Sequence, residues 1–145
     1  LINPRDYWVA PDGTRRDEAY ALQLTPAIRG AAAETCGLVS LLLQDFVSQG
    51  GTLPLHANGT HVSSGWRPPL VNAATPGAAP GSGHMTGRSI DVYDPQGDLD
   101  AWLMSPAGQA ALVRIGLWME HPDRTPTWAH LQTVPPGSKR RVFWP

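Results

Sequence analysis

The strongest pattern of apolar and polar positions along the chain is helical. Ile28, Ala32, Cys36, Val39, Leu42, Leu43 and Phe46 recur at three- and four-residue steps, which places them on one face of a helix. The Thr25 hydroxyl can cap that helix, and Pro26 suits its first position because the missing N–H has no partner there anyway. Gly50-Gly51 ends it, so a core helix is expected over about 26–49. Ser89–Tyr93 and Trp128–Gln132 alternate as strands do, and further strands are expected at Thr60–Ser64 and Arg141–Trp144. Gly65–Pro69 reads as a turn, and Gly97–Ile115 as one or two helices broken at Ser105-Pro106. Residues 1–24 mix Tyr7, Trp8 and Val9 with the turn Pro11-Asp12-Gly13 and a charged run, which reads as an N-terminal arm with room for a short hairpin. Together these elements predict an α+β fold: a small, mostly antiparallel sheet with flanking helices, the long helix packed behind it.

Composition narrows the function classes. A chain of 145 residues fits one domain, and a net charge of −1 supplies no overall field toward nucleic acid or an anionic bilayer. No continuous apolar run reaches the ~18 residues of a spanning helix, so membrane insertion is not expected. The N-terminus lacks the basic-then-apolar order of a signal peptide, and the chain opens at Leu1, as a fragment or processed form would. The single cysteine, Cys36, excludes an internal disulfide framework and a thiolate metal cage; its apolar neighbours assign it to the core. Ala73–Gly83 has the composition of a linker, but it is short and leads straight into the densest chemical motif, so it is expected to be an active-site loop.

That motif runs from Ser82 to Asp91 and sets His84 seven residues before Asp91, with Gly87 between. A catalytic zinc site takes three ligands from His, Asp or Glu and leaves a fourth position open. If Ile90 and Val92 face the core, strand alternation turns Asp91 to the other side. The same alternation turns His130 away from Ala129 and Leu131, onto a face shared with Trp128 and Gln132. Two adjacent strands can thus present a carboxylate and an imidazole to one ion, with His84 as third ligand. The expectation is a single Zn2+ site in a cleft, held by His84, Asp91 and His130.

Three segments in order, Ser64-Gly65-Trp66-Arg67, Ser82 through Asp91, and Trp128-Ala129-His130, resemble the zinc D-alanyl-D-alanine carboxypeptidases and dipeptidases and the related L-alanyl-D-glutamate endopeptidases of phage lysins. The family pattern is Ser-Gly-Tyr-Arg, then Ser-x-His-x-x-Gly-x-Ala-x-Asp, then an aromatic residue shortly before a third histidine; here Trp66 replaces the tyrosine and Ser89 the alanine. The resemblance implies zinc-dependent cleavage of a peptide bond in peptidoglycan stem peptide, acting in the periplasm or cell wall, from a virion or after host lysis. It also implies that Arg67 binds the substrate carboxylate or the developing oxyanion. Ser82 is a candidate for substrate contact or for turn chemistry, and Trp128 and Gln132 are candidates for lining the cleft.

One departure concerns the general base. Most family members with a well-understood mechanism carry a glutamate three residues before the last histidine, where this chain, like some shorter relatives, departs, with Thr127, and a threonine hydroxyl is no useful base near neutral pH. Of the three glutamates, Glu18 lies in the arm and Glu34 on the long helix, which leaves Glu120 as the candidate, with His121 and Asp123 behind it. Thr127 also supports an alternative: a zinc-stabilised binding or virion structural module that keeps the fold without turnover and contacts other virion or cell-wall proteins. His56 and His61 have no expected partners and are read as structural, and Lys139-Arg140-Arg141 as a solvated turn.

Overall fold

The computed structural model describes residues 1–145 and is α+β. The long helix, α2, spans Pro26–Ser48. Its start follows the expected chemistry, since the Thr25 side chain accepts a hydrogen bond from the Ile28 N–H and Pro26 stands at the first turn. Ala32, Cys36, Val39, Leu42, Leu43 and Phe46 on one face are buried in the core. At 23 residues α2 is long and apolar enough to cross a membrane, although Arg29, Glu34 and Asp45 interrupt its apolar run. In this fold its apolar face is spent on packing against the sheet.

The sheet has the order β1-β2-β4-β3-β5, formed by Val62–Ser64, Ser89–Tyr93, Trp118–Glu120, Trp128–Gln132 and Val142–Phe143 as β1, β2, β3, β4 and β5 in chain order. Pairings β1–β2, β2–β4 and β3–β4 are antiparallel, and β3–β5 is parallel. The sheet is therefore mixed, though mostly antiparallel. The central strands bury Ile90, Val92, Ala129 and Leu131 against α2 and the helix α4 (Asp98–Met104), and the helix α5 (Pro106–Ile115) packs on α2 and α4. The break between those helices falls at Ser105, whose side chain accepts from the Gly108 N–H and so caps α5. Asp94 fixes the start of α4, its two carboxylate oxygens accepting from the Leu99 and Asp100 N–H groups.

Several expectations need correction. Strand β1 begins at Val62 because Thr60 belongs to a turn, its hydroxyl and N–H both bonded to Asn58. Strand β5 is only two residues long. The helix α3 (Pro69–Ala74) and strand β3 were not expected; both are too short to display a period. The N-terminal segment, which includes the short α1 (Arg16–Ala19), is no free arm. Ile2 and Tyr7 belong to the core, and a hairpin is reduced to a single Val9–Arg15 bridge. Arg141 is not solvated either: it lies over the Trp118 ring and donates to the Leu117 carbonyl. Cys36 is buried as expected, with its thiol pushed up to about 12 by that burial.

Candidate metal centre

The register of the two central strands sets Asp91 directly across from His130. Both side chains leave the face opposite Ile90 and Leu131, as alternation requires. His84 arrives from a separate element, a single 3-10 turn over Gly83–Thr86 that Ser82 caps by accepting from the His84 N–H. Gly87 closes this turn at φ 81°, and a Cβ there would stand 2.7 Å from the Ile28 carbonyl oxygen. Only glycine lets the turn lie this close to α2. Thr35 of α2 completes the contact by donating to the Gly87 carbonyl at 2.7 Å.

Hydrogen bonds fix which ring nitrogens face inward. His84 Nδ1 lies 2.7 Å from the Gly65 carbonyl oxygen, an acceptor only, so Nδ1 carries the proton and the neutral ring turns its Nε2 lone pair to Asp91 Oδ1 at 3.3 Å. The Gln132 amide donates to the Val134 carbonyl at 2.7 Å, which leaves its oxygen facing His130 Nε2 at 3.0 Å. His130 Nε2 therefore carries the proton, and its Nδ1 lone pair faces the same Asp91 Oδ1 at 2.9 Å. Two imidazole lone pairs and a carboxylate oxygen converge, and their ligand atoms all lie within 4.8 Å of one another. Such a set repels itself unless a proton or a metal cation sits among the three donors. The group could hold a metal ion, and the outward N–H bonds to Gly65 and Gln132 are of the kind that orient metal-binding histidines.

The ionisation of the three residues follows from burial and mutual contact. Burial lowers the His84 pKa, and the nearby Asp91 charge only partly restores it. Burial also opposes charging of His130, but a second proton, on Nδ1, would be donated to Asp91, and that bond and the Asp91 charge outweigh burial and raise its pKa. Asp91 is held far below the usual carboxylate range. Burial works against that, and the charge of His84 and the N–H bonds that both rings would donate to Asp91 once protonated overcome it.

A pocket of about 490 Å³ opens onto this group. Arg67, Ser82, Glu120 and Gln132 line it together with the three ligand candidates, and residues 76–79 and 81–83 form part of its wall. The Ala73–Gly83 loop thus borders the candidate site. Glu120 reaches it through the unforeseen strand β3: Trp118 pairs with Gln132 and Met119 with Leu131, and continuing that register sets Glu120 opposite His130. Burial raises the Glu120 pKa, with the His130 charge acting against it. The Arg67 backbone N–H donates to the His84 carbonyl and its Nη2 to Ser82 Oγ, while its buried Nε has no partner.

Not every expected residue joins the pocket. Trp128 pairs with Tyr93 at the far end of β4 and is absent from the lining; sharing a strand face with His130 does not bring it close enough. His121 and Asp123 do not stand behind Glu120. His121 stacks on Trp144 with ring centroids 4.0 Å apart and faces a different, shallower depression near Asp100 and Thr125. Thr127 is exposed and outside the pocket. His56 and His61 stay away from the site, against Tyr93 and the Pro54 carbonyl. Sequence reasoning missed the Gly65 carbonyl as partner of His84 and Arg88 as a pocket residue. A backbone acceptor leaves no side-chain signal, although Gly65 itself is such a signal: a Cβ there would collide with the Tyr7 carbonyl.

Comparison with protein-family models, with curated proteins and with solved structures finds no match to this chain.

Proposed function

We propose that this protein is a zinc metallopeptidase of the D-alanyl-D-alanine carboxypeptidase and L-alanyl-D-glutamate endopeptidase type, hydrolysing a peptide bond in bacterial peptidoglycan stem peptide. The observation that carries the reading is the convergence of His84 Nε2, Asp91 Oδ1 and His130 Nδ1 at the base of a pocket that also holds Glu120 and Arg67. Two nitrogen donors and one oxygen donor suit zinc with an open fourth position. A bound zinc ion would supply Lewis acidity for the attacking water and the scissile carbonyl.

The remaining work falls to the chain itself. Glu120 takes the proton from the attacking water and returns it to the leaving amine; its raised pKa brings it nearer the range where both transfers are efficient. It thereby fills, from β3, the role that Thr127 cannot perform. Arg67, its backbone held by the His84 carbonyl and its guanidinium by Ser82, directs that guanidinium at a substrate carboxylate or at negative charge developing on the carbonyl oxygen. Gln132 holds the His130 tautomer, and substrate contact is left to the pocket wall. The site of action is the periplasm or cell wall.

Zinc content and muropeptide cleavage test this together. The parent protein is expected to carry one zinc per chain, His84→Ala none, and Glu120→Gln a full complement with cleavage reduced by about 10²-fold or more. Muropeptides left intact by zinc-loaded parent across the pH range would refute the peptidase reading. Zinc retained without turnover would instead favour a non-catalytic binding or virion module.

A further inference from the structure

Four formally charged side chains line the pocket: Arg67, Arg88, Asp91 and Glu120. They cancel, so a divalent ion on the two neutral histidines and Asp91 would leave the site with an excess of two positive charges. The mechanism above uses Arg67, Asp91 and Glu120. Arg88 is unassigned.

The Arg88 backbone is firmly held. Its N–H donates to the Gly83 carbonyl at 2.9 Å, and its carbonyl accepts from the Thr133 N–H at 3.0 Å. The preceding Gly87 is clamped to α2 as described. The side chain, by contrast, is 44% exposed, and the carboxylate paired with it, Glu34 of α2, is 59% exposed and stands off at 3.9 Å. That separation is beyond a hydrogen bond, and an exposed pair of this kind contributes little. The guanidinium is therefore readily exchanged onto another carboxylate, which it can engage with two parallel N–H donors. Arg67 and Arg88 are also anchored separately: Arg67 donates to Ser82 and to the His84 carbonyl, while the Arg88 backbone is bonded to Gly83 and to Thr133, beyond the end of β4.

We propose that Arg88 is a specificity-determining residue that selects peptides with a free carboxylate beside the scissile bond over the same peptides carrying a carboxamide there, with Glu34 as its resting counter-ion. This rests on the peptidase reading, and it names the substrate class for that site: an anionic peptide held by the two guanidinium groups of one pocket.

The test uses a matched pair of stem peptides, acid and amide at the residue flanking the cleaved bond, with zinc-loaded protein and both steady-state kinetics and calorimetric binding. The parent is expected to favour the acid by about tenfold in KM, with similar kcat. Arg88→Gln removes the preference by raising KM for the acid alone, Arg88→Lys retains part of it, and Glu34→Gln strengthens it. Cleavage of both peptides with equal KM by the parent overturns the role of Arg88 and leaves the peptidase reading intact. If neither peptide is cleaved, the peptidase reading fails and binding decides: a preference for the acid that Arg88→Gln abolishes supports Arg88 as the anion anchor, and equal binding or none overturns it.

Discussion

Asp100 offers a test of the buried electrostatics that can be worked through quantitatively. It is 4% exposed, its Oδ1 has no hydrogen-bond partner, and its Oδ2 accepts only a long 3.3 Å bond from Thr125. Burial, and then the charge of Asp94, push its carboxyl up to about 7. In the unfolded chain the value returns to about 3.9. Between those limits the folded protein retains a proton that the unfolded chain has released, so this residue's contribution to stability falls as pH rises from about 4 to about 7 and is level above that. The full interval corresponds to ~4 kcal/mol. Asp100 borders a shallow depression, and screening by water there reduces the effect to ~2 kcal/mol. Asp100→Asn keeps the size of the protonated acid and removes the titration. Urea unfolding with a chelator present, so that metal binding contributes to neither protein, should show the variant more stable than the parent by ~2 kcal/mol at pH 8 and by under ~1 kcal/mol at pH 5. A gap that does not change with pH, or a variant no more stable than the parent at pH 8, would refute this account of the buried carboxylates.

Other consequences are accessible to simple variants. Gln132→Leu removes the acceptor that holds the His130 tautomer, so zinc affinity should fall by about 10–100-fold while the folded spectrum is unchanged; undiminished affinity in a zinc titration would show that Gln132 does not orient the ring. Gly87→Ala meets both a positive φ and the Ile28 carbonyl of α2, and a loss of more than ~2 kcal/mol is expected in denaturant unfolding; a neutral result would mean that the turn carrying His84 is not clamped to the helix. Leu43→Ala, at a position with 0% exposure between helix and sheet, should cost ~2–5 kcal/mol by the same measurement, and a loss below ~1 kcal/mol would place the core elsewhere.

Glu120 shows how far a one-dimensional reading extends toward the site. It could be chosen as candidate base because only three glutamates exist and two lie in segments without other candidate chemistry. Nothing in its own neighbourhood indicated a strand, since three residues are too few to reveal alternation. Its place opposite His130 depends on β3 pairing with β4, a contact between segments joined through the Pro122–Arg124 turn. His121 and Asp123, adjacent in sequence, are carried elsewhere by that same turn. Trp128 fails for the converse reason: it shares the face of His130, but the pocket ends before its position on the strand.

Local pattern thus determined what depends on neighbours in the chain. The bounds of α2, the break before α5, strands β2 and β4, and the directions of Asp91 and His130 all follow from periodicity, capping and alternation over a few residues. Tertiary structure decided whatever depends on strand order and on close backbone approach. The register that sets Asp91 against His130, the parallel addition of β5 and the incorporation of Ile2 and Tyr7 into the core belong to that class. The histidine tautomers belong there too. They are dictated by the Gly65 and Val134 carbonyls, the first acting directly on His84 and the second through Gln132. Backbone oxygens are the same at every residue, so only folding determines which of them meets which side chain.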